Sequence, residues 1–592
     1  MKNQTIKIFA FAASLSGLSM VHTGCNDKDF LKEKIFQMTS ETSYQEPAQI
    51  NLAINFMHNR MQYLTMSSYQ FHNYIMTGLG LDIFFSTTPE FVTSNWKYLT
   101  PSEPGYTSYW ATGLSQIISY ANNVIEACND PKVKFASEAQ KNELLAEGLF
   151  FRAWGHRNLV GLYGDWPIIT QVQKAPKVDY VRSPRVDVWK QCREDLMFAA
   201  ANLPLTTNKP GRIVRAAADH LLSEICISLG DHTKDQKYYD EAITAASNVI
   251  NGKDGDYQLM KNRFGKRAAE AGKDVYWDLF RSGNFNYQDG NKEAIWVVQY
   301  DYANAVSNTG GMPNNATTNK LLLEFAFQSS SYFMNRQIKD ANGNNFFFFG
   351  EGATKFPDGK SSQTGNDATG VGAAQNRPTN YFFYDIWEGS GSDIRNSEAN
   401  IQRDIKQAGG KSWKQVFDEI KARGDWDKII PSDTIRGVYP RIWKFSTDKH
   451  INGNPEFIDA DIYIMRLPET YLLRAEAYMK KGQPGLAKDD INTVRARANA
   501  PLITEASVNM DYILDERARE LFGEEYRLVT LTRLSTKENP VLVQRVRKYG
   551  WKFPDLSGEQ RPNIADHQWV YPVPQSIINA NSGAEFKQND GY

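Results

Sequence analysis

The chain has few cysteines, no long apolar run and no excess of charge, and each shortage excludes a class of protein. Only four of its 592 residues are cysteines, and Cys128, Cys192 and Cys226 lie too far apart for a disulfide framework. We expect these three as small buried side chains. Lysine and arginine number 67 against 68 aspartates and glutamates, so no basic surface for nucleic acid is expected. No apolar segment is long enough to span a bilayer.

The signatures of catalysis and nucleotide binding are also missing. The sequence contains no Gly-rich phosphate loop followed by Lys-Ser/Thr, no His-Glu-x-x-His, no Gly-x-Ser-x-Gly and no Cys-x-x-Cys. Gly78 and Gly80 begin a dinucleotide-binding pattern, but Ile83 stands in place of its third glycine. The sequence therefore predicts a binding protein and not an enzyme. A surface glycosidase, which needs a pair of carboxylates across a cleft, is the enzymatic alternative.

The first residues predict export and attachment to a membrane. Two lysines precede an apolar stretch over residues 8–21, which is typical of a signal peptide and too short for a membrane helix. The Thr-Gly-Cys that ends at Cys25 resembles a bacterial lipobox, in which the thiol takes a lipid, although His22 replaces the usual aliphatic residue. We expect a signal peptide over 1–24, lipidation at Cys25 and a lipidated tether over 25–45.

The rest of the chain divides into three regions that we expect to form one fold. Residues 46–252 have the periodicity of an N-terminal half built from helical repeats. Residues 253–460 lose that periodicity and are rich in aromatic residues, asparagine and glycine; within them, 295–300 predicts an isolated strand. Residues 461–592 return to helical repeats and end in a tail.

Individual helices can be predicted from their apolar periodicity. The helix over 138–162 carries Gly148 and Gly155 on one face, where they cost helix propensity but let a neighbouring helix approach closely. A single helix is predicted over 512–534. The helix pair within 467–498 resembles a tetratricopeptide repeat, and a second pair before residue 252 resembles one less well, with an enlarged turn over 231–239.

Several segments together resemble the SusD/RagB family. They occur in family order and lie at residues 25–31, 146–167, 211–214, 461–477, 513–521, 571–576 and 588–592. One departure is Gly523-Glu524-Glu525-Tyr526-Arg527, where the family usually carries a Gly-His-Arg-Trp-like run. The resemblance implies a mainly α-helical fold, with a tetratricopeptide-like repeat scaffold and large irregular inserts.

The resemblance also implies a function. Members of this family are lipoproteins on the outer-membrane surface that capture an oligosaccharide or polysaccharide and cap a partner, a SusC-like TonB-dependent transporter. We therefore expect a glycan-binding lipoprotein of the outer membrane, held at the cell surface by its N-terminal lipid. A peptide ligand taken up with the same lid role is the alternative, and a helical-repeat adhesin without a nutrient role is a further one.

Aromatic residues in loops are the candidate ligand-binding residues, because flat rings can cover the apolar faces of sugars. Neighbouring polar groups would orient the hydroxyls. For each aromatic residue, the alternative is a structural role that supports its loop. The candidates are Asn95, Trp96, Tyr98, Trp277, Tyr287 and Trp387.

One constellation has the spacing of a calcium loop. Asp340, Asn342, Asn344 and Glu351 fall at positions 1, 3, 5 and 12 of an EF-hand-like segment. Asn345 takes the place of the turn glycine, and the segment that follows does not have a helical pattern. A turn rich in asparagine and glycine is the simpler interpretation, so we expect no cofactor and keep calcium as the weak candidate.

Overall fold

Helices make up most of the described chain. The computed structural model describes residues 44–65, 80–87, 96–102, 106–299, 376–404, 411–426, 435, 439–445, 450–451, 454–458, 461–553 and 561–592. The helices are α1 Pro47–Thr65, α2 Tyr106–Asn129, α3 Glu138–Tyr163, α4 Arg185–Asn202, α5 Arg215–Thr233, α6 Gln236–Ile250, α7 Val275–Asp278, α8 Asn380–Phe383, α9 Trp413–Ala422, α10 Leu467–Lys480, α11 Pro484–Arg497, α12 Met510–Leu521, α13 Arg527–Arg533, α14 Val541–Tyr549 and α15 Gln575–Ala580.

The long helices stack side by side in chain order. Successive helices from α1 to α6 pack against one another, and α10 and α11 extend the row. Helix α6 packs against α10, although the whole segment 251–466 lies between them in the chain. Within the described residues the row therefore contains four successive helix pairs, which confirms the predicted tetratricopeptide-like scaffold. No described helix has both the length and the apolar character needed to cross a membrane.

Helix α3 has the longest run of buried residues in the row. The Ser137 side chain accepts the N–H of Gln140 and caps the first turn, and every residue from position 144 onward is buried. A Cβ on Gly148 would lie 2.8 Å from Val124 Cγ1, and one on Gly155 would lie 2.6 Å from Ile118 Cγ1. Both glycines therefore let α2 approach closely, as the sequence predicts.

Four short antiparallel strand pairs are described, and each includes at least one strand from residues 253–460, the irregular region. The strands are β1 Phe84–Ser86, β2 Ala294–Val298, β3 Asn376–Pro378, β4 Ile401–Gln402, β5 Arg441–Ile442, β6 His450–Ile451, β7 Asn454–Ile458 and β8 Ile462–Arg466. They pair as β1 with β3, β2 with β8, β4 with β5 and β6 with β7. The strand predicted over 295–300 exists as β2, but it is paired and not isolated. The pairing brings β2, which lies within residues 253–460, against β8, which follows them and leads directly into α10.

Two helix predictions are wrong in their boundaries. The helix predicted over 512–534 is broken, because α12 ends at Leu521 and α13 begins at Arg527. Gly523 lies in that break at φ 75°, where its missing side chain leaves room for Phe445. The enlarged turn predicted over 231–239 is also absent, since α5 continues to Thr233 and α6 begins three residues later. The three cysteines after residue 100 are buried free thiols, as predicted.

Glu520 of α12 lies at the centre of a buried charge network. Its carboxylate accepts hydrogen bonds from Arg466 Nη1 at 2.7 Å and from Arg395 Nη1 at 3.1 Å, and it also binds Arg497. Glu516, one helical turn earlier, pairs with Arg395 Nη1 at 2.8 Å. All five side chains have 0% relative exposure. The network ties β8, α11 and α12 to the 3₁₀ turn that contains Arg395.

Candidate functional site

An open polar cleft of about 780 Å³ lies between α1, the turn that precedes α5 and the end of β2. We call it the α1 cleft. The described residues that line it are Ala48, Asn51, Asn55, His58, Asn59, Gln62, Lys209, Pro210, Gly211, Arg212, Val297, Val298 and Gln299. Most of these side chains end in an amide or a basic group, so the cleft is suited to a ligand with many hydrogen-bonding groups.

Helix α1 supplies one wall because its two faces differ. Asn51, Asn55 and Asn59 recur every four residues, which places their amides on one face of the helix. The apolar side chains that anchor the other face in the core are Ile50, Ile54, Met57, Met61 and Leu64. The amide row is consequently held by a buried apolar stripe and does not depend on its own contacts for its position.

The second wall is the tight turn over 209–212. The Arg212 N–H donates to the Lys209 carbonyl at 3.3 Å, with Pro210 and Gly211 at the two central positions. Gly211 has φ 85°, as a type II turn requires at its third residue. A Cβ there would lie 2.8 Å from Gln299 Cγ, so only glycine lets the turn approach the end of β2.

A buried carboxylate connects the two walls. Glu147 of α3 accepts a hydrogen bond from Arg212 Nη2, and His58 Nε2 lies 2.8 Å from Glu147 Oε1. Arg212 also donates to Asn51 Oδ1 at 3.3 Å, so the guanidinium joins α3 to the amide row. Burial alone would raise the pKa of Glu147, but the hydrogen bond from His58 and the charge of Arg212 hold that pKa below its usual value.

A chain of amide hydrogen bonds runs along the floor of the cleft. Gln62 Nε2 donates to the Gln299 carbonyl at 2.6 Å, and Gln299 Nε2 donates to Asn286 Oδ1 at 2.7 Å. Asn286 Nδ2 in turn donates to Asp461 Oδ2 at 2.9 Å. One of these bonds ends on a backbone carbonyl and two join side chains, and together they hold α1, the end of β2 and the residue before β8 to one another.

Tyr287 lies beside the α1 cleft. It lines a smaller pocket that shares Gly211, Arg212 and Val297 with the cleft. Its ring is half-buried, and Lys292 Nζ lies 4.0 Å from the ring centroid. Of the predicted aromatic residues that the structure describes, Tyr287 is the one placed next to this polar surface.

The expectation of exposed ring faces is wrong at three predicted positions. Trp96 is 7% exposed and donates its indole N–H to the Gly80 carbonyl at 2.8 Å. Trp387 is 5% exposed and donates to the Phe382 carbonyl, also at 2.8 Å. Both rings pack in apolar clusters, and each buried indole N–H is satisfied by a backbone carbonyl.

Trp277 is buried for a different reason. It is 1% exposed, and the guanidinium groups of Arg267 and Arg281 lie 4.6 and 4.5 Å from its ring centroid. Cation–π contacts of this kind occupy the surface that a sugar would need. Tyr98, by contrast, is 44% exposed, and its role in binding stays a prediction.

The remaining candidate positions lie outside the described residues. These are Cys25, Asn95 and the calcium candidates Asp340, Asn342, Asn344 and Glu351. Where the structure is described, no three histidine, cysteine or acidic side chains are grouped so that they could hold a metal ion.

The amide row on α1 was not predicted from the sequence, although the sequence contains a pattern that indicates it. Asn51, Asn55 and Asn59 have helical spacing opposite an apolar stripe, which marks a row of amides on the face away from the core. A search restricted to aromatic residues does not detect such a face.

The stacked helix pairs and the open polar cleft are features of a helical-repeat binding protein. The chain belongs to the SusD family, whose model matches residues 230–592. A second family model, described as "Starch-binding associating with outer membrane", matches residues 29–227. The predicted membership of the SusD/RagB family and the predicted fold are confirmed. The assignment to a family of binding proteins also agrees with the prediction that the chain is not an enzyme.

Curated relatives match part of the chain. The starch-binding protein SusD of Bacteroides thetaiotaomicron is 35% identical over 191 residues, which cover 30% of this chain and 32% of that protein. A SusD-like protein of Bacteroides ovatus is 26% identical over 215 residues, or 35% of this chain and 36% of that protein. The matched part therefore spans about a third of the length of these relatives.

Solved structures match the fold over nearly the whole chain. A laminarin-binding SusD-like protein has a TM-score of 0.62 at 21% identity and covers 92% of this chain and 99% of its own. The surface glycan-binding protein A of Bacteroides thetaiotaomicron, in complex with laminarihexaose, has a TM-score of 0.63 at 17% identity, with the same coverage. At these identities the likeness concerns the fold.

Proposed function

We propose that this chain is a surface lipoprotein that captures an oligosaccharide or polysaccharide in the α1 cleft and delivers it to a SusC-like TonB-dependent transporter. The observation that carries the proposal is the row of Asn51, Asn55 and Asn59 facing an open cleft. Relatives named for binding starch and laminarin support the ligand class. The outer-membrane description of one matching family supports the location.

The chemistry of the row fits sugar hydroxyls. An asparagine amide offers both donors and acceptors, and a hydroxyl also does both, so neighbouring hydroxyls of a sugar chain can be bound in succession. A net hydrogen bond of this kind contributes about 1 kcal/mol. Three such amides, with little aromatic surface, fit a site that binds one glycan segment in roughly the millimolar to high-micromolar range. Repeated units along a polysaccharide would raise the overall avidity.

A peptide is the alternative ligand, because amides can also pair with a peptide backbone. A screen by isothermal titration calorimetry over plant, host and microbial glycans, with unstructured peptides as a parallel arm, separates the two. Binding of a glycan and not of the peptides supports the proposal. Binding of the peptides alone would assign the cleft to the alternative ligand.

The amide row gives the first prediction. The double variant Asn55→Ala/Asn59→Ala should weaken the best glycan of the screen about tenfold or more, because two hydrogen-bonding groups are lost. Thermal unfolding should be unchanged or slightly higher, since alanine has the higher helix propensity within α1. Calorimetry and a thermal melt measure the two effects independently.

A matched control is Asn579→Ala. Asn579 is exposed on α15 and is not part of the cleft lining. It should leave the affinity for the same glycan unchanged. Equal affinities of the double variant and the wild type would place the glycan outside the α1 cleft.

The anchor gives a second prediction. Cys25→Ala should move the protein from the membrane fraction to the soluble fraction, because several acyl chains on one residue make attachment stable at about 0.8 kcal/mol per buried CH₂. Mass spectrometry of the wild-type N-terminal peptide should show acyl chains on Cys25. The control Cys128→Ala, at a buried thiol, should stay with the membrane. An unmodified Cys25 in the mature protein would contradict the anchor.

A further inference from the structure

The ionisable side chains that line the α1 cleft in the described residues are all bases. They are His58, Lys209 and Arg212, and the described lining contains no aspartate or glutamate. Helix α1, Pro47–Thr65, contains no acidic residue along its whole length. The chain as a whole carries a formal charge of −1, so this local excess of basic groups is a property of the cleft and not of the protein.

The carboxylate beneath the cleft is paired with Arg212 and His58, and no ion pair joins it to Lys209 within the described residues. The Glu147 side chain is 2% exposed, and its two oxygens are taken by His58 and Arg212. A ligand in the cleft therefore meets the basic partners of Glu147 and not the carboxylate itself. Arg212 remains 16% exposed and His58 21% exposed at the cleft wall.

Lys209 provides a charge that is not committed to another residue. It is exposed at the first position of the turn over 209–212, and no ion pair of Lys209 occurs within the described part of the chain. Pro210 and Gly211 hold that turn in one conformation, so Lys209 and Arg212 occupy its first and fourth positions and both line the cleft. Two basic groups at one edge of an amide-lined cleft can bind an anionic substituent while the amides bind hydroxyls.

We infer, on the basis of the proposed function, that the glycan bound in the α1 cleft carries anionic groups, either the carboxylate of a uronic acid or a sulfate ester. A neutral sugar can use the amide row but gains less from Lys209. A charged sugar adds a charge-assisted hydrogen bond from the Lys209 ammonium group. This bond replaces no ion pair of Lys209 within the described residues. The electrostatic contribution is screened by salt because the lysine is exposed.

The test uses two pairs of probes in which one member carries the anionic group and the other has a neutral group at the same positions. The first pair is an oligogalacturonate and its fully methyl-esterified form, and the second is a sulfated laminarihexaose and laminarihexaose itself. Calorimetry at low salt should show the charged member of at least one pair binding about fivefold tighter or more, and the preference should disappear at about 0.5 M NaCl. The pair that shows the preference distinguishes the carboxylate from the sulfate.

Lys209→Gln should weaken the charged probe about two- to fivefold and should weaken its neutral counterpart by a smaller factor. Lys132→Gln removes the same charge from the loop between α2 and α3, outside the cleft lining, and should change neither affinity. Neutral probes that bind as tightly as charged ones, without dependence on salt, would overturn the anionic preference and leave glycan capture intact. If no glycan binds at all, the inference and the proposed function are both wrong.

Discussion

Glu520→Gln is expected to lower the free energy of unfolding by about 3–5 kcal/mol, the largest effect of any single substitution considered. The carboxylate is fully buried and accepts from Arg466 Nη1 at 2.7 Å and from Arg395 Nη1 at 3.1 Å, and it also binds Arg497. Glutamine keeps the shape of the side chain but removes the negative charge, so the guanidinium groups are left buried with too little compensation. Denaturant unfolding followed by circular dichroism measures the loss.

The control for this substitution is Glu538→Gln, which makes the same chemical change at an exposed position between α13 and α14. It should change the free energy of unfolding by no more than about 0.5 kcal/mol. If Glu520→Gln were as stable as the control, the buried network would not be a main support of the C-terminal helices.

The protein is expected to lose stability steeply as the pH falls from about 5 to 2. Burial alone would raise the pKa of Asp82 and of Glu516, but the guanidinium groups around each carboxylate outweigh it. Arg527 and Arg545 lower the pKa of Asp82 from 3.8 to about 2. Arginines led by Arg395 lower the pKa of Glu516 from 4.5 to about 2.

The sign of the pH effect follows from these values. A carboxyl group whose pKa is lower in the folded state stabilises the fold above its unfolded pKa and loses that contribution as the pH falls toward the folded value. Each of the two groups contributes roughly 2–3 kcal/mol in this way. Denaturant titrations between pH 7 and about pH 2.5 should therefore show a falling free energy of unfolding.

Asp82→Asn separates this effect from a general acid sensitivity. The variant should be much less stable than the wild type at pH 7, because Arg527 and Arg545 lose their buried partner. The difference should shrink as the pH approaches 2, where Asp82 itself becomes protonated. A wild-type free energy of unfolding that stays flat between pH 6 and 3 would contradict the role assigned to these ion pairs.

Local patterns in the sequence were sufficient for most of the scaffold. The helix begins after Ser137, whose side chain caps it, and ends before Gly164, which has φ 73°. A serine before a helical pattern and a glycine after it can both be read from the sequence. Gly148 and Gly155 likewise predict a close neighbouring helix. Glycine lowers helix propensity, but on one face of a helix it leaves room for another helix to approach. These features depend on residues that are near one another in the chain.

Features that depend on distant residues could not be predicted in the same way. Strand β2 was predicted, but nothing in its own sequence identifies β8 as its partner. Trp277 has the loop setting of an exposed ring, but it is buried, and the guanidinium groups of Arg267 and Arg281 lie against its ring. The role of Glu147 as the link between α1 and the turn over 209–212 depends on three separate segments meeting.

The central claim is that the α1 cleft holds the sugar. The measurement that tests it most directly is a crystal structure of the protein with the best glycan from the screen. We expect sugar hydroxyls within hydrogen-bonding distance of the Asn55 and Asn59 amides. A glycan bound elsewhere on the protein, with the α1 cleft empty, would contradict it.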